Sequence, residues 1–470
     1  MVTCIAVGYG DDGTREFHMG FTPWPYAPTL AAVEETYDKL HEHSDMIAFH
    51  LDEGVPWPEA YAAEPYDPDW ENALNYMVSE IQPDQAVYVG LAPLSTWRDG
   101  MAPYRGSSDN MPLPEPWSGY AFNDEPVIDA YTNFCLDLIA RFQPDYFNYG
   151  IEYSDLYFKS PEKWDGFFEF LVQVYSRLKT AHPDLMIGLS PIIPRPDSMD
   201  AVLTDGIIEA SIPYTDFFGA SLYPYAFWAM PDDADPADLA SDWFHQLKTM
   251  ARGKPLAVAE AGWTAEPLVI DSYGLNVHST PEFQAAYVDK LLQEAASTDC
   301  LFVIWWALID FDDMWAVMTD PNMRDLAAIW RDIGLFDGTV TPRIGLQHWD
   351  SWLNKTYTGD LNIMVSTTRQ DYTAGQEFIL SLARRNVGDS FVADEYLFMD
   401  VYGQYFFWPS WRTEVDFQAA VTIPHGLMSE NILSFTWPDG VGGADGLRFW
   451  AGWVDQGALV DYDYTDFGYR

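Results

Sequence analysis

Residues 255–263 read PLAVAEAGW, and the fold turns on this stretch. Five apolar residues lead into Glu260, and Gly262 and Trp263 follow it. A short run apolar on both faces is the pattern of a parallel strand covered by helices. A carboxylate on such a strand is costly to bury unless it stands where the strand opens to solvent or to a partner. Seven more runs share this character: EFHMGF (16–21), DMIAFHL (45–51), QAVYVGLAPL (85–94), YFNYGIE (146–152), LMIGLSPI (185–192), FFGASLYP (217–224) and CLFVIWWAL (300–308). Three of the eight end in Pro, Trp or a carboxylate.

The segments between the runs carry helical periodicity. Ile128, Tyr131, Cys135, Leu138 and Phe142 share one face; so do Phe167, Phe170, Leu171, Val174 and Leu178, and Phe283, Tyr287 and Leu291. Eight strands alternating with helices predict an α/β chain, a (β/α)₈ TIM barrel over residues 1–355. A doubly wound open sheet is the alternative, and no glycine-rich phosphate loop follows an early strand. After residue 356 the helical period stops. FILSLARRNVG (378–388), YLFMDVY (396–402), ILSFTWP (432–438) and LRFWAGWV (447–454), separated by Gly, Asp and Pro turns, predict an all-β, immunoglobulin-like sandwich over 356–470.

Asp and Glu number 72 against 24 Lys and Arg, a formal charge of −48. Such a field repels nucleic acid and anionic membrane surfaces and disfavours a polyanionic substrate. Scarce Lys beside abundant Asp suits a saline habitat, and suits equally an acidic extracellular protein. No run approaches the roughly 18 apolar residues that span a bilayer. The N-terminal MVTCIAVGYG lacks a charged leader, so an extracellular or cell-surface chain is expected to have shed its signal peptide. Cys4, Cys135 and Cys300 make no disulfide framework, and no spacing suggests a metal site or a cofactor. Cys4 would fit a truncated lipoprotein leader, although Thr3 before it is atypical.

Glycosidic cleavage needs two carboxyl groups flanking the bond, and on a barrel both stand at the carboxyl ends of strands. Glu152 closes the fourth run and Glu260 lies near the end of the seventh, opposite positions from which side chains converge. These two, with the sixth run GASLYPY, resemble the large clan of retaining barrel glycosidases. That clan carries its acid/base after strand four and its nucleophile after strand seven. Within it, DFFGASLYPY (216–225) and GKPLAVAEAGW (253–263) most resemble glycoside hydrolase family 53, the endo-β-1,4-galactanases, over residues 16–350. The resemblance implies a polysaccharide or oligosaccharide substrate, double displacement, Glu152 as the acid/base with a raised pKa, and Glu260 as the nucleophile. It also implies that Tyr223 bonds Glu260 and that Trp306, or its neighbour Trp305, floors the sugar site. The chain departs from the clan at Ile151, where Asn usually precedes the acid/base; Asn148 lies three residues too early.

Other residues at the expected mouth are Trp24 and Tyr26 after the first run, and His50, Asp52, Glu53 and Trp57 after the second. Trp97 and Arg98 follow the third, and Trp263 ends the seventh. Flat rings suit a sugar's C–H face. In the sandwich, Trp408, Trp411, Trp450 and Trp453 are candidates for a glycan-binding face or for the core. Loop lengths after the second and third runs favour an open groove and internal cleavage. The competing function is a non-catalytic glycan-binding or cell-surface protein that retains the barrel, and Ile151 is its main support. An aldolase or oxidoreductase would need a Schiff-base lysine or a phosphate site. Lys254, just before the seventh run, is the only lysine near a strand and stands at the wrong end.

Overall fold

The computed structural model describes residues 13–470 apart from 197, 231–233, 241–242, 299, 370, 387–389, 425 and 441. Cys4 lies outside the described residues. All eight runs form strands of one closed parallel barrel: β1 (His18–Thr22), β2 (Met46–Leu51), β3 (Ala86–Leu91), β4 (Tyr146–Ile151), β5 (Met186–Ser190), β6 (Phe217–Leu222), β7 (Leu256–Ala261) and β8 (Phe302–Ala307). Each strand is buried on both faces, which is why each reads as an unbroken apolar run.

The inward residues fill the barrel rather than line a pore. Rings of Tyr88, Tyr146, Phe217 and Phe302 pack together in its N-terminal half. Small residues make room for them: a Cβ on Gly188 would lie 2.2 Å from the Phe217 ring. Outside, helices Glu125–Phe142 and Trp164–Ala181 bury the faces their periodicity predicts. In Pro281–Ser297, capped by the Thr280 hydroxyl, Tyr287 and Leu291 are buried and Phe283 is half-buried.

The barrel strands are not regular at their carboxyl ends. Between Asn148 and Ile151, β4 carries one residue more than its partner β5, which runs from Gly188 to Ser190. From Val258 to Glu260, β7 carries one more than β6 over Ala220–Ser221, and it also outruns β8. At Trp305–Ala307, β8 carries one more than β1. A bulge breaks the in-out alternation and re-aims the next side chain. These three bulges fall immediately ahead of Glu152, at Glu260 and at Trp306.

The chain after helix Ile344–Leu353 pairs Thr356–Tyr357 with Thr14–Arg15 and then forms two stacked sheets. One holds Leu361–Thr367, Glu377–Asn386 and Gly426–Thr436; the other is built on Phe391–Val401, Ala444–Asp455 and Ala458–Tyr469. Phe378, Leu380, Leu397, Phe449 and Trp453 fill the space between them. Trp453 is thus a core residue, its indole N–H donating to Glu395 at 3.1 Å. Trp408, Trp411 and Trp450 are half-buried. The sandwich docks on the N-terminal end of the barrel, opposite the mouth. Arg385 reaches across to donate to the Tyr146 hydroxyl and, at 2.7 Å, to the Gly359 carbonyl.

Candidate active site

Glu152 stands one residue beyond β4 with a φ of 51°, a left-handed conformation that costs a non-glycine residue about 1 kcal/mol. Its Oε1 accepts from the Ser221 hydroxyl at 3.1 Å. Its Oε2 accepts from Arg98 Nε at 3.1 Å and Nη2 at 2.9 Å. Arg98 also grips Asp52 with two bonds of 3.0 and 2.9 Å. Glu260 is 5% exposed, and its Oε2 accepts from the Tyr223 hydroxyl at 3.1 Å. Its Oε1 is buried, with His50 Nδ1 3.6 Å away and no hydrogen bond reaching it from the described residues. Ser221 links the two carboxyl groups: its backbone is in register with Glu260 while its side chain holds Glu152.

Burial, and then the charge of Glu152, push the Glu260 carboxyl well above the ordinary carboxylate range; Arg98 and the Tyr223 hydrogen bond oppose this. The expectation was that Glu152 would be the raised member. A raised Glu260 runs against that order; it is the deeper of the two, and one hydrogen-bond donor among the described residues reaches it. Burial also lowers His50, so its imidazole is neutral at pH 7. Glu53 is pushed up to about 7 by burial and by Asp109 and Asp52.

Aromatic rings close one side of the mouth. The Trp306 ring lies 5.3 Å from Trp24, 6.0 Å from Trp330 and 6.2 Å from His50, and Trp330 lies 5.7 Å from Tyr223. Trp97 is exposed. Three tryptophans expected at the mouth are elsewhere. Trp57 is fully buried against Trp117 and donates to the Ala102 carbonyl at 2.9 Å. Trp263 packs on Tyr287 with ring centroids 4.5 Å apart. Trp305 points outward and donates to the Ile333 carbonyl at 2.7 Å. Strand alternation sends Trp305 to the helix side and leaves Trp306 inside. Asn148 faces into the barrel, bonded to Tyr88 at 2.9 Å and Ser190 at 2.7 Å, and Ile151 is buried.

Two residues of the site, Ser221 and Trp330, are not among those the sequence indicates. Ser221 shares the inward face with Tyr223 by period-two spacing, so alternation within SLYP was an available signal. Trp330 lies on a non-periodic segment between β8 and the last helix, where the sequence offers no signal. Asp310, Asp312 and Asp332 bring carboxylate oxygens within 4.8 Å of one another. Arg343 lies 2.6 Å from Asp310 and Arg331 2.6 Å from Asp332, so arginines already neutralise this cluster. No helix among the described residues is long and apolar enough to cross a membrane.

No family profile matches the chain. No curated protein matches it either. Solved structures do. The GH5_18 protein of Streptomyces cattleya, in complex with Manβ1-4GlcNAc, is 13% identical over 76% of this chain and 84% of its own, with a TM-score of 0.50. An exo-β-1,4-mannosidase of Opitutaceae bacterium strain TAV5 is 13% identical over 73% of this chain and 60% of its own, also at 0.50. Bacteroides uniformis β-glucuronidase 2 is 12% identical over 97% of this chain, with a TM-score of 0.44, and this chain spans only 45% of its length. At such identity the likeness is one of fold: a TIM barrel with β-rich accessory structure.

Proposed function

We propose that the chain is a retaining glycoside hydrolase that cleaves β-glycosidic bonds within a polysaccharide by double displacement. The observation that carries this reading is the pairing of Glu152 and Glu260 at one barrel mouth, with Oε1 of Glu260 buried and unbonded. That oxygen is the attacking atom, directed at the anomeric carbon of a sugar stacked on Trp306. Glu152 protonates the departing oxygen, then activates the water that releases the sugar. While Glu152 holds its proton, one of the two main causes that push Glu260 up is absent; burial remains, opposed by Arg98 and the Tyr223 hydrogen bond, and Glu260 ionises the more readily. A glycan-binding protein without activity has no use for two carboxylates so coupled. Residues 356–470 serve as an accessory domain that braces the barrel from below, and the acidic chain works outside the cell.

The test is release of oligosaccharide from a polysaccharide panel in low and molar salt. The panel includes β-1,4-galactan, for the family 53 resemblance, and β-mannan. Release by the wild type that falls about 10³-fold or more in Glu260→Ala and Glu152→Ala is the expected result. NMR of the first-formed anomer distinguishes retention from inversion. Binding of a glycan with no release at either salt would move the assignment to the non-catalytic protein.

A further inference from the structure

We propose that Arg98 is the positioning residue of this site, a counter-charge shared between Glu152 and Asp52 that sets the pH at which Glu152 takes up its proton. The proposal rests on the reading of Glu152 as acid/base. A guanidinium has five N–H donors. All five are engaged here: Nε with Glu152, Nη1 with Asp52 and the Ser95 carbonyl at 3.2 Å, and Nη2 with Asp52 and Glu152. No donor remains for a substrate, so Arg98 acts through the carboxylates. The bidentate grip belongs to Asp52; Glu152 receives its two bonds on a single oxygen. When Glu152 accepts a proton, the cation keeps its full grip on Asp52 and is not left unpaired.

The frame around Arg98 is built for this. Arg98 has a φ of 56°, the same left-handed conformation as the glutamate it faces, and its N–H closes a turn on the Ser95 carbonyl at 2.8 Å. The next carbonyl, Asp99, accepts from Ser160 at 2.9 Å and Lys163 at 2.6 Å, both on the segment that follows Glu152. The loops after β3 and β4 are thereby stapled together. The other titratable groups that act on Glu152 are Glu260 and Tyr223 across the mouth, His50 on β2 and Asp155 on its own loop. Among the described residues, Arg98 is the one cation bonded to it.

The test follows the Glu152 carboxyl by ¹³C NMR in protein labelled at glutamate, with Glu152→Gln for assignment, beside the pH dependence of kcat/KM. In Arg98→Met the midpoint moves up by about one to three units, and the alkaline limb of kcat/KM moves with it. In Asp52→Asn, where the cation is less neutralised, both move down. Arg98→Lys keeps the charge and loses the fork, so it restores the midpoint in part; with Asp52→Asn it carries the test if Arg98→Met does not fold. Opposite shifts in the two variants establish the counter-charge even if no glycan is cleaved, and that combination would reject only the acid/base reading. Cleavage with midpoints and limbs unmoved would overturn the role of Arg98 and leave the hydrolase standing.

Discussion

Among the described residues Tyr223 gives Glu260 its one side-chain hydrogen bond, at 3.1 Å, and that bond favours the charged carboxylate. In Tyr223→Phe the ring keeps its place against Trp330, and only the hydroxyl goes. The nucleophile then ionises at higher pH. The expected result is a loss of about 10- to 100-fold in kcat/KM near neutrality, with the acid limb moved upward and thermal stability nearly unchanged. An unmoved acid limb would mean that the hydroxyl does not tune Glu260. Glu53 gives a second test at this scale, read in stability. Its folded pKa of about 7 lies above the ordinary value of 4.5. A raised carboxyl contributes its full stability below the lower value and loses it as pH rises through the upper one. Wild type therefore loses up to about 3 kcal/mol from this group between the two. Glu53→Gln has no such loss, so urea denaturation should find the two proteins alike near pH 4 and the variant more stable at pH 8.

The strands test how the barrel is filled. Gly188 on β5 leaves room for the Phe217 ring, which is hemmed in by Tyr146 and Phe302. Gly188→Ala overpacks this layer and is expected to cost about 1–3 kcal/mol, seen as a lower denaturation midpoint. Because the layer lies below the mouth, kcat/KM should stay within a few-fold of wild type. The same feature explains what the sequence revealed. Strands covered on both sides must be apolar throughout, so PLAVAEAGW and its seven counterparts were readable one by one. A carboxylate at or near the end of the fourth and seventh runs marked the mouth there, which exposed Glu152 and Glu260. The bulges were not readable. An extra residue in β4, β7 or β8 exists only relative to a neighbouring strand, and no local pattern announces it. Yet these bulges fall immediately ahead of Glu152, at Glu260 and at Trp306, the residues of the mouth. For the same reason Trp57, Trp263 and Trp305 were misplaced: position near a strand end locates a tryptophan along the barrel axis, while alternation and loop path decide whether it faces sugar or core.

At the scale of the whole molecule, net charge opposes the architecture. The chain holds 72 carboxylates and 24 Lys and Arg, so most neighbouring surface charges repel. The cations are used sparingly and often where burial demands them. Arg384 pairs with Glu395 inside the sandwich at 2.7 Å, Arg385 joins sandwich to barrel, and Arg98 sits between two carboxylates in the mouth. Such buried contacts are screened little by salt, whereas exposed repulsion is screened strongly as the Debye length falls from about 10 Å at 0.1 M to about 3 Å at 1 M. Exposed ion pairs, which salt would weaken, contribute about 0–1 kcal/mol each and are outnumbered by unpaired carboxylates. Repulsion therefore decides the sign, and Tm should rise as NaCl is raised from 0.05 to 1 M, on the order of several degrees. Protonating carboxylates lessens the same repulsion, so the gain from salt should be smaller at pH 5 than at pH 8. A preferentially excluded salt such as sulfate stabilises most proteins by strengthening apolar burial; sodium chloride is the more selective probe, and a Tm flat or falling in it at pH 8 would show that the buried arginine contacts, rather than surface repulsion, govern how this barrel and sandwich hold together.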